Sequence, residues 1–318
     1  MSNKFENWLQ RKWYQRSEAP SALKPLASVF GTAAEKRRKG FQSGKKHSEK
    51  LSVPVIVVGN IAVGGTGKTP LVIAIAEWLK HQGYTPGVIS RGYGGKAPNY
   101  PYRVVMGSPA AHCGDEPLLI AQHGFAVAVD PKRPAAGKLL IAEGIDVLIA
   151  DDGLQHYALQ RDIEIAVVDA ERGLGNGELL PAGPLREPAE RLNECDLIVS
   201  NGSAKPPLPE AITTAVFQMQ LQQSPPLHEL GSTAGDWSAW QGKQVHAVAG
   251  IGNPGRYFRQ LEAAGLQVTE HAFTDHHAYQ PHELDFADKK PVLMTSKDAV
   301  KCQAFWQAHF YSVPVSAQ

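Results

Sequence analysis

Cysteine is scarce in this chain. Cys113, Cys195 and Cys302 are the three in 318 residues, and no two form a Cys-x-x-Cys pair. Neither a disulfide framework nor a zinc site is expected, which fits a reducing cytosol. Long apolar runs are also missing: none approaches the roughly 18 residues of a spanning helix. The N-terminus carries charge and tryptophan where a signal peptide would have an apolar core. The expectation is a chain that is soluble or peripheral to a bilayer. Acids are few in residues 1–50, four against twelve Lys/Arg; that segment carries +8, and because the whole chain carries +1 the remainder carries −7. A basic head on an acidic body suggests an anionic partner surface, either membrane or nucleic acid.

Within the basic head (1–50), Phe5, Trp8, Leu9 and Trp13 fall at helical spacing on one face, flanked by Lys12 and Arg16. Tryptophan beside Lys/Arg on an amphipathic helix suits a bilayer interface. A helix packed on its own domain has the same pattern. The short apolar stretch Leu26–Phe30 and the cluster Lys36–Lys39 follow.

Residues 53–69 join a buried-strand run to a glycine-rich turn and then to a helix. The turn, Ala62, Val63, Gly64, Gly65, Thr66, Gly67, Lys68 and Thr69, has the makings of a phosphate cradle. Backbone N–H groups and the positive helix end face the anion, the lysine reaches the outer phosphates and the threonine hydroxyl reaches Mg²⁺. The strict pattern wants glycine where Ala62 stands. Downstream, an apolar strand ends in Asp151-Asp152-Gly153. A carboxylate at such a strand end is needed to hold Mg²⁺ or its waters, although Asp-Gly also makes ordinary turns. Asp115, in Gly114-Asp-Glu-Pro117, is either a helix cap or a carboxylate that accepts the proton of an attacking hydroxyl.

Arg91, in Ser90–Gly95, follows a strand end in a loop that is either a flexible turn or a cover for the site. Lys132 and Arg133 could hold a substrate phosphate or lie on the surface. The Gly/Pro-rich loop 173–188 is long enough to suggest function. Gly250–Gly255 matches G-x-G-x-x-G, which alone is a weak signal and equally a strand–helix turn. His271, Asp275, His276, His277 and His282 form a histidine-rich loop suited to a His–carboxylate pair or to a metal.

Apolar runs at 53–58, 85–90, 125–129, 146–150, 163–168 and 197–200 are mostly continuous rather than alternating, which marks strands buried on both faces of a parallel sheet. The expected fold class is α/β: a parallel phosphate-loop sheet with helices on both faces (51–222), then a smaller C-terminal α/β domain (223–318) carrying the Asp-His-His loop. Length allows two cores.

Taken in order, Gly59–Pro70, Ser90–Gly95, Gly114–Pro117, Asp151–His156, Leu180–Glu187, Gly250–Pro254, Asp275–His277 and Thr295–Lys301 closely resemble the tetraacyldisaccharide 4′-kinases, the lipid A 4′-kinases of Gram-negative bacteria. The resemblance runs from about residue 5 to 301. It implies ATP and Mg²⁺ as cosubstrates and phosphoryl transfer to the 4′-hydroxyl of an acylated glucosamine disaccharide 1-phosphate. It also implies work at the cytoplasmic face of the inner membrane, with no nucleic acid as partner. Lys68 matches the phosphate-loop lysine, Thr69 the Mg²⁺ hydroxyl, Asp115 the base and His276 its supporting histidine. Asp151, Asp152 and Glu187 match acids around the metal. Two departures stand out: the family often has Thr where Ala62 stands, and its usual Thr-Glu-Lys-Asp-Ala-Val-Lys has Ser296 here.

Three other classes compete. A switch NTPase of the deviant phosphate-loop type would need lysine at position 62. A metal-dependent phosphoesterase built on Asp275-His276-His277 leaves Lys68-Thr69 unexplained. A nucleic-acid ATPase would continue the basic stripe across the fold.

Overall fold

The computed structural model describes residues 2–14, 20–228, 232 and 234–318, with side chains from Trp8 onward. Two helices lead the chain, α1 (Ser2–Tyr14) and α2 (Lys24–Gln42). An α/β domain follows. Its elements are β1 (Val55–Gly59), α3 (Lys68–His81), β2 (Pro86–Ser90), β3 (Tyr102–Val104), α4 (Ala110–Cys113), α5 (Asp115–Gln122), β4 (Ala126–Val129), α6 (Arg133–Ala142), β5 (Val147–Asp151), β6 (Ile163–Asp169), β7 (Leu197–Asn201) and β8 (Val216–Met219). The strands form one sheet in the order β3-β4-β2-β5-β1-β6-β7-β8, parallel except for the edge strand β3.

Successive residues on these strands feed opposite cores. Ile56 and Val58 pack with α3 and α5 through Val72, Ala76 and Leu118. Val55 and Val57 pack with α6 through Ala136 and Leu140. That two-sided burial is why the runs are continuously apolar. It leaves the C-terminal strand ends as the place for polar groups, and β1 and β5 are in register there, with Val58 opposite Asp151.

A second, four-stranded parallel sheet is built from β10 (Gln244–Ala249), α7 (Pro254–Ala263), β11 (Gln267–Ala272), β12 (Val292–Thr295), α8 (Ser296–Cys302) and β13 (Phe310–Val313), in the order β11-β10-β12-β13. The chain crosses between the sheets twice. β9 (Leu221–Gln223) leads out, and β14 (Val315–Ala317) returns to pair with it antiparallel. Leu221 and Ala317 pack on the first core, as does Val300 of α8.

The N-terminal helix differs from a simple bilayer face. Phe5's side chain and Arg16, both part of the expected amphipathic surface, lie outside the described residues. Trp8 is exposed, but Trp13 is buried and its indole N–H donates to Pro181 O at 3.1 Å. Leu26 and Val29 of α2 are exposed. Among the described residues no helix is long and apolar enough to cross a membrane.

Candidate active site

The cradle hangs between β1 and α3. Gly67 caps α3 in a left-handed conformation (φ 90°), and a Cβ there would lie 2.5 Å from Asn201 Nδ2. Only glycine fits, because both the backbone angle and the space exclude a side chain. Asn201, at the end of β7, donates to Thr66 O at 3.0 Å. Asn60, buried at the end of β1, reaches Thr66 Oγ1 at 3.3 Å. The loop 180–187 pairs with the cradle: Val63 N donates to Pro184 O and Arg186 N to Ile61 O. Ala62 is buried in this pairing, bridged to Leu185. A rigid loop of this kind holds its N–H groups aimed at an anion without reorganisation.

The acids gather beside it. Asp151 is wholly buried, and neither carboxylate oxygen has a hydrogen-bond partner in the protein. Burial, with Glu116 nearby, pushes its carboxyl up to about 7. A dry, unpartnered carboxylate at the strand end beside Lys68 and Thr69 fits a cation ligand. Asp152 (φ 49°) instead pairs with Arg186 at 2.9 Å and stands 3.8 Å from Lys68. Burial alone would raise its carboxyl, but Lys68 and Arg186 hold it down at about 2.

Glu187 is also buried, yet both its oxygens are engaged, one by Tyr157 and the other by Gln155. It braces Gln155, which holds Asn60 O at 3.1 Å. Through Gln155, Glu187 thus supports the cradle from beneath. Arg133 also faces inward. It is buried and donates to the backbone oxygens of Asp151 and Asp152 at 3.1 and 2.7 Å, so it fixes the acidic turn rather than facing a substrate. Arg91 is exposed, near enough to Arg133 for their charges to repel.

Asp115 opens α5. The cap of that helix is Gly114 (φ 88°), not the aspartate, and a Cβ on Gly114 would meet Tyr93 O at 2.5 Å. The 90–95 loop thus packs directly on the turn that presents Asp115. From the second domain, His276 Nδ1 lies 3.0 Å from Asp115 Oδ1, while His277 turns away to Glu283. Lys297, at the start of α8, stands 3.0 Å from Glu116, 3.1 Å from Asp275 and 3.4 Å from His276 Nε2.

These contacts set the ionisation. Burial would raise the Asp115 carboxyl, but the His276 hydrogen bond and the Lys297 charge bring it below the ordinary value. Burial would lower His276, and the bond to Asp115 more than offsets that. Lys297 is held charged against burial by Glu116, Asp115 and Asp275. Sequence reasoning overlooked Asn60, Glu116, Asn201 and the long-range role of Lys297. Among the described residues there is no group of three or more His, Cys, Asp or Glu placed to hold a metal, and in the histidine loop His276 faces Asp115 while His277 faces Glu283. The G-x-G-x-x-G loop is a strand–helix turn: Asn253 caps α7 by accepting from Arg256 N, and Gly252 packs on Gly65 of the cradle.

A phosphate loop on a parallel sheet, an unpartnered acid at the neighbouring strand end and a carboxylate–histidine pair across a cleft define a phosphotransferase of the phosphate-loop class. The model of the tetraacyldisaccharide-1-P 4′-kinase family matches residues 19–318, and the chain belongs to that family. It is 49% identical over 313 residues to the tetraacyldisaccharide 4′-kinase of Alkalilimnicola ehrlichii, covering 98% of this chain and 91% of that one. It is 45% identical over 319 residues to the enzyme of the same name from Pseudomonas aeruginosa, covering 98% and 93%. Its fold is similar to the crystal structure of LpxK from Aquifex aeolicus in complex with ATP, with a TM-score of 0.78, 28% identity and 94% of each chain covered.

Proposed function

We propose that the chain transfers the γ-phosphoryl group of ATP to the 4′-hydroxyl of a tetraacyldisaccharide 1-phosphate, an acylated glucosamine disaccharide that is a lipid A precursor. The observation that carries the reading is the meeting of Asp115 and His276 at 3.0 Å, next to Glu116 and Lys297, which line the cleft that holds Lys68 and Thr69. A nucleotide hydrolase has no need of a carboxylate–histidine pair set apart from the phosphate loop. A transferase to an alcohol has a hydroxyl to orient and deprotonate.

Lys68 and the loop amides hold the outer phosphates and spread their charge. Thr69 and Asp151 would hold Mg²⁺, with Asp152 beside them. When bound, the metal neutralises charge building up on the phosphoryl oxygens. Asp115 accepts the proton of the 4′-hydroxyl as the new O–P bond forms and the bond from the γ-phosphorus to its bridging oxygen breaks, releasing ADP. His276 fixes the carboxylate's orientation, and Lys297 balances its charge against Glu116 and Asp275. Little base strength is needed, because the transition state is loose and positioning dominates. Arg91, exposed by the site, is the candidate contact for the substrate's 1-phosphate.

The N-terminal helices support work at the cytoplasmic face of the inner membrane of a Gram-negative bacterium. Exposed Trp8, Leu26 and Val29 accompany the basic head, and apolar residues beside Lys/Arg suit an anionic bilayer. The deciding assay is ³²P transfer from ATP to the lipid disaccharide in detergent micelles, with Lys68→Ala as the control. Transfer to lipid that is lost in Lys68→Ala is expected. ATP hydrolysis without lipid phosphorylation sinks the kinase reading. Deleting residues 1–18 is expected to release the protein from anionic liposomes, and unchanged sedimentation defeats the membrane reading.

A further inference from the structure

The last turn of α1 touches the phosphate cradle itself. Tyr14 Oη donates to Val63 O at 2.6 Å, inside the cradle. The guanidinium of Arg172 lies over the Tyr14 ring, 4.9 Å from its centroid. The same Arg172 donates to Gly252 O of the second domain at 2.7 Å. A Cβ built on Gly64 would lie 3.6 Å from one Arg172 terminal nitrogen and 3.8 Å from Tyr14 Oη. Four segments distant in sequence therefore converge on one pair of side chains: the N-terminal helix, the cradle, the loop after β6 and the glycine turn after β10.

The surroundings fix that pair. Arg172 N donates to Asp169 Oδ1 at 3.0 Å, and Asp169, itself buried, pairs with Arg256 of α7 at 3.0 Å. Trp13 is tied to Pro181, in the loop that pairs with the cradle, and a Cβ on Gly175 would meet Trp13 O at 2.7 Å. The end of α1 thus has little room to move without moving Val63. Burial pushes the Tyr14 phenol up to about 12, so it keeps its proton and donates at working pH.

We propose that Tyr14 and Arg172 are positioning residues that clasp the phosphate cradle to the second domain, so that seating of the N-terminal helix sets the cradle's affinity for nucleotide triphosphate. The carbonyl of Val63 gives Tyr14 a handle on the loop without engaging the N–H groups of Gly64 to Lys68. Holding it from behind keeps those groups converged. Holding Gly252 O with the same arginine keeps the second domain over the bound phosphates. α1 is then part of the nucleotide site as well as the segment read as membrane-facing.

This inference rests on the phosphate-loop assignment, and the test separates the two. The full-length protein in detergent is titrated with a fluorescent ATP analogue, and steady-state KM values are measured for ATP and lipid separately. Tyr14→Phe removes one oxygen and leaves the stacking ring in place. It is expected to weaken analogue binding about fivefold, the scale of one neutral hydrogen bond, with the lipid KM unchanged. Arg172→Ala is expected to weaken it at least as much, and Arg172→Lys to recover part of the loss. The double variant should fall well short of the product of the two single effects, because the residues act as a unit. Lys68→Ala calibrates the titration. If it loses binding while Tyr14→Phe and Arg172→Ala bind as wild type, the clasp is overturned and the cradle stands. If Lys68→Ala also binds normally, the cradle assignment falls and takes the clasp with it. Equal rises in both KM values would mark a merely structural role and overturn the proposal too.

Discussion

Gly252→Ala tests whether the second domain must close on the cradle for catalysis. A methyl there would lie 2.2 Å from Gly65 N, 2.9 Å from Gly65 Cα and 3.2 Å from Gly64 C. All three are backbone atoms of a loop held by Asn60, Asn201 and the loop 180–187, so no side chain can swing aside. The Gly252 backbone angle itself tolerates alanine, since it lies outside the left-handed region. The strain is then relieved by parting the two backbones by about 1 Å, enough to reach ordinary contact. That shift travels. The glycine turn is bonded to the histidine loop through Phe273 N to Ala249 O, and Gly250 packs against Thr274 O. His276 therefore moves with it and leaves Asp115. A displacement of this size at a reacting centre lowers turnover roughly a hundredfold. The folded domains relax by opening, so the melting temperature should stay close to that of the wild type. The assay is steady-state phosphoryl transfer at saturating ATP and lipid, beside a circular-dichroism melt. A folded Gly252→Ala enzyme with kcat within threefold of wild type refutes the reasoning.

The Asp115–His276 pair gives a signed pH prediction. The pair holds the Asp115 carboxyl below its ordinary value, so the acid limb of kcat/KM in the wild type belongs to a lowered carboxylate. His276→Ala removes the bond that lowers it and leaves the burial that raises it, so the acid limb should move to higher pH while kcat falls. An unmoved limb denies Asp115 the role of base. Asp115→Asn keeps the shape but cannot accept a proton, and kcat should drop about 10²–10⁴-fold; turnover above a tenth of wild type contradicts the assignment. Away from the site, Arg191 is buried against Glu164 and Tyr157. Arg191→Met removes one of the two arginines on buried Glu164, whose other oxygen keeps Arg161 at 2.7 Å, and should cost about 1–3 kcal/mol in urea unfolding. A loss under about 1 kcal/mol would mean that water replaces the arginine.

Much of the frame was legible in the sequence because burial on both faces leaves an unambiguous signature. The six apolar runs of the first domain became β1, β2, β4, β5, β6 and β7 within about two residues at each end. The three-residue edge strand β3 was not legible, since pairing on one side needs no continuous apolar run. The return strand β14 escaped for a different reason: nothing local tells Val315–Ala317 to pair with Leu221–Gln223, about ninety residues earlier. The same limit shaped the site. Spacing could mark Lys68, Thr69 and the Asp-Asp turn, because those neighbours in space are carried on adjacent strand ends. It could not show that Arg133 and Glu187 face inward, because a charged residue on a loop looks alike whether it meets substrate or backbone.

Ala62 stands where the strict phosphate-loop pattern has glycine. Its departure from glycine raised the question of whether the cradle was a phosphate loop at all. In the folded chain Ala62 is buried in a bridge to Leu185. A small apolar side chain at that position packs rather than binds. The space the pattern reserves for glycine is used here to dock the loop 180–187, whose Pro184 O takes the N–H of Val63. The carbonyl of the same Val63 takes the phenol of Tyr14. Both backbone groups of that residue are thus spent on holding the cradle from outside. The rigidity that the strict pattern obtains from glycine turns comes here from Asn60, Asn201, the loop 180–187 and Tyr14, which is why damage to any of them should register first in nucleotide binding.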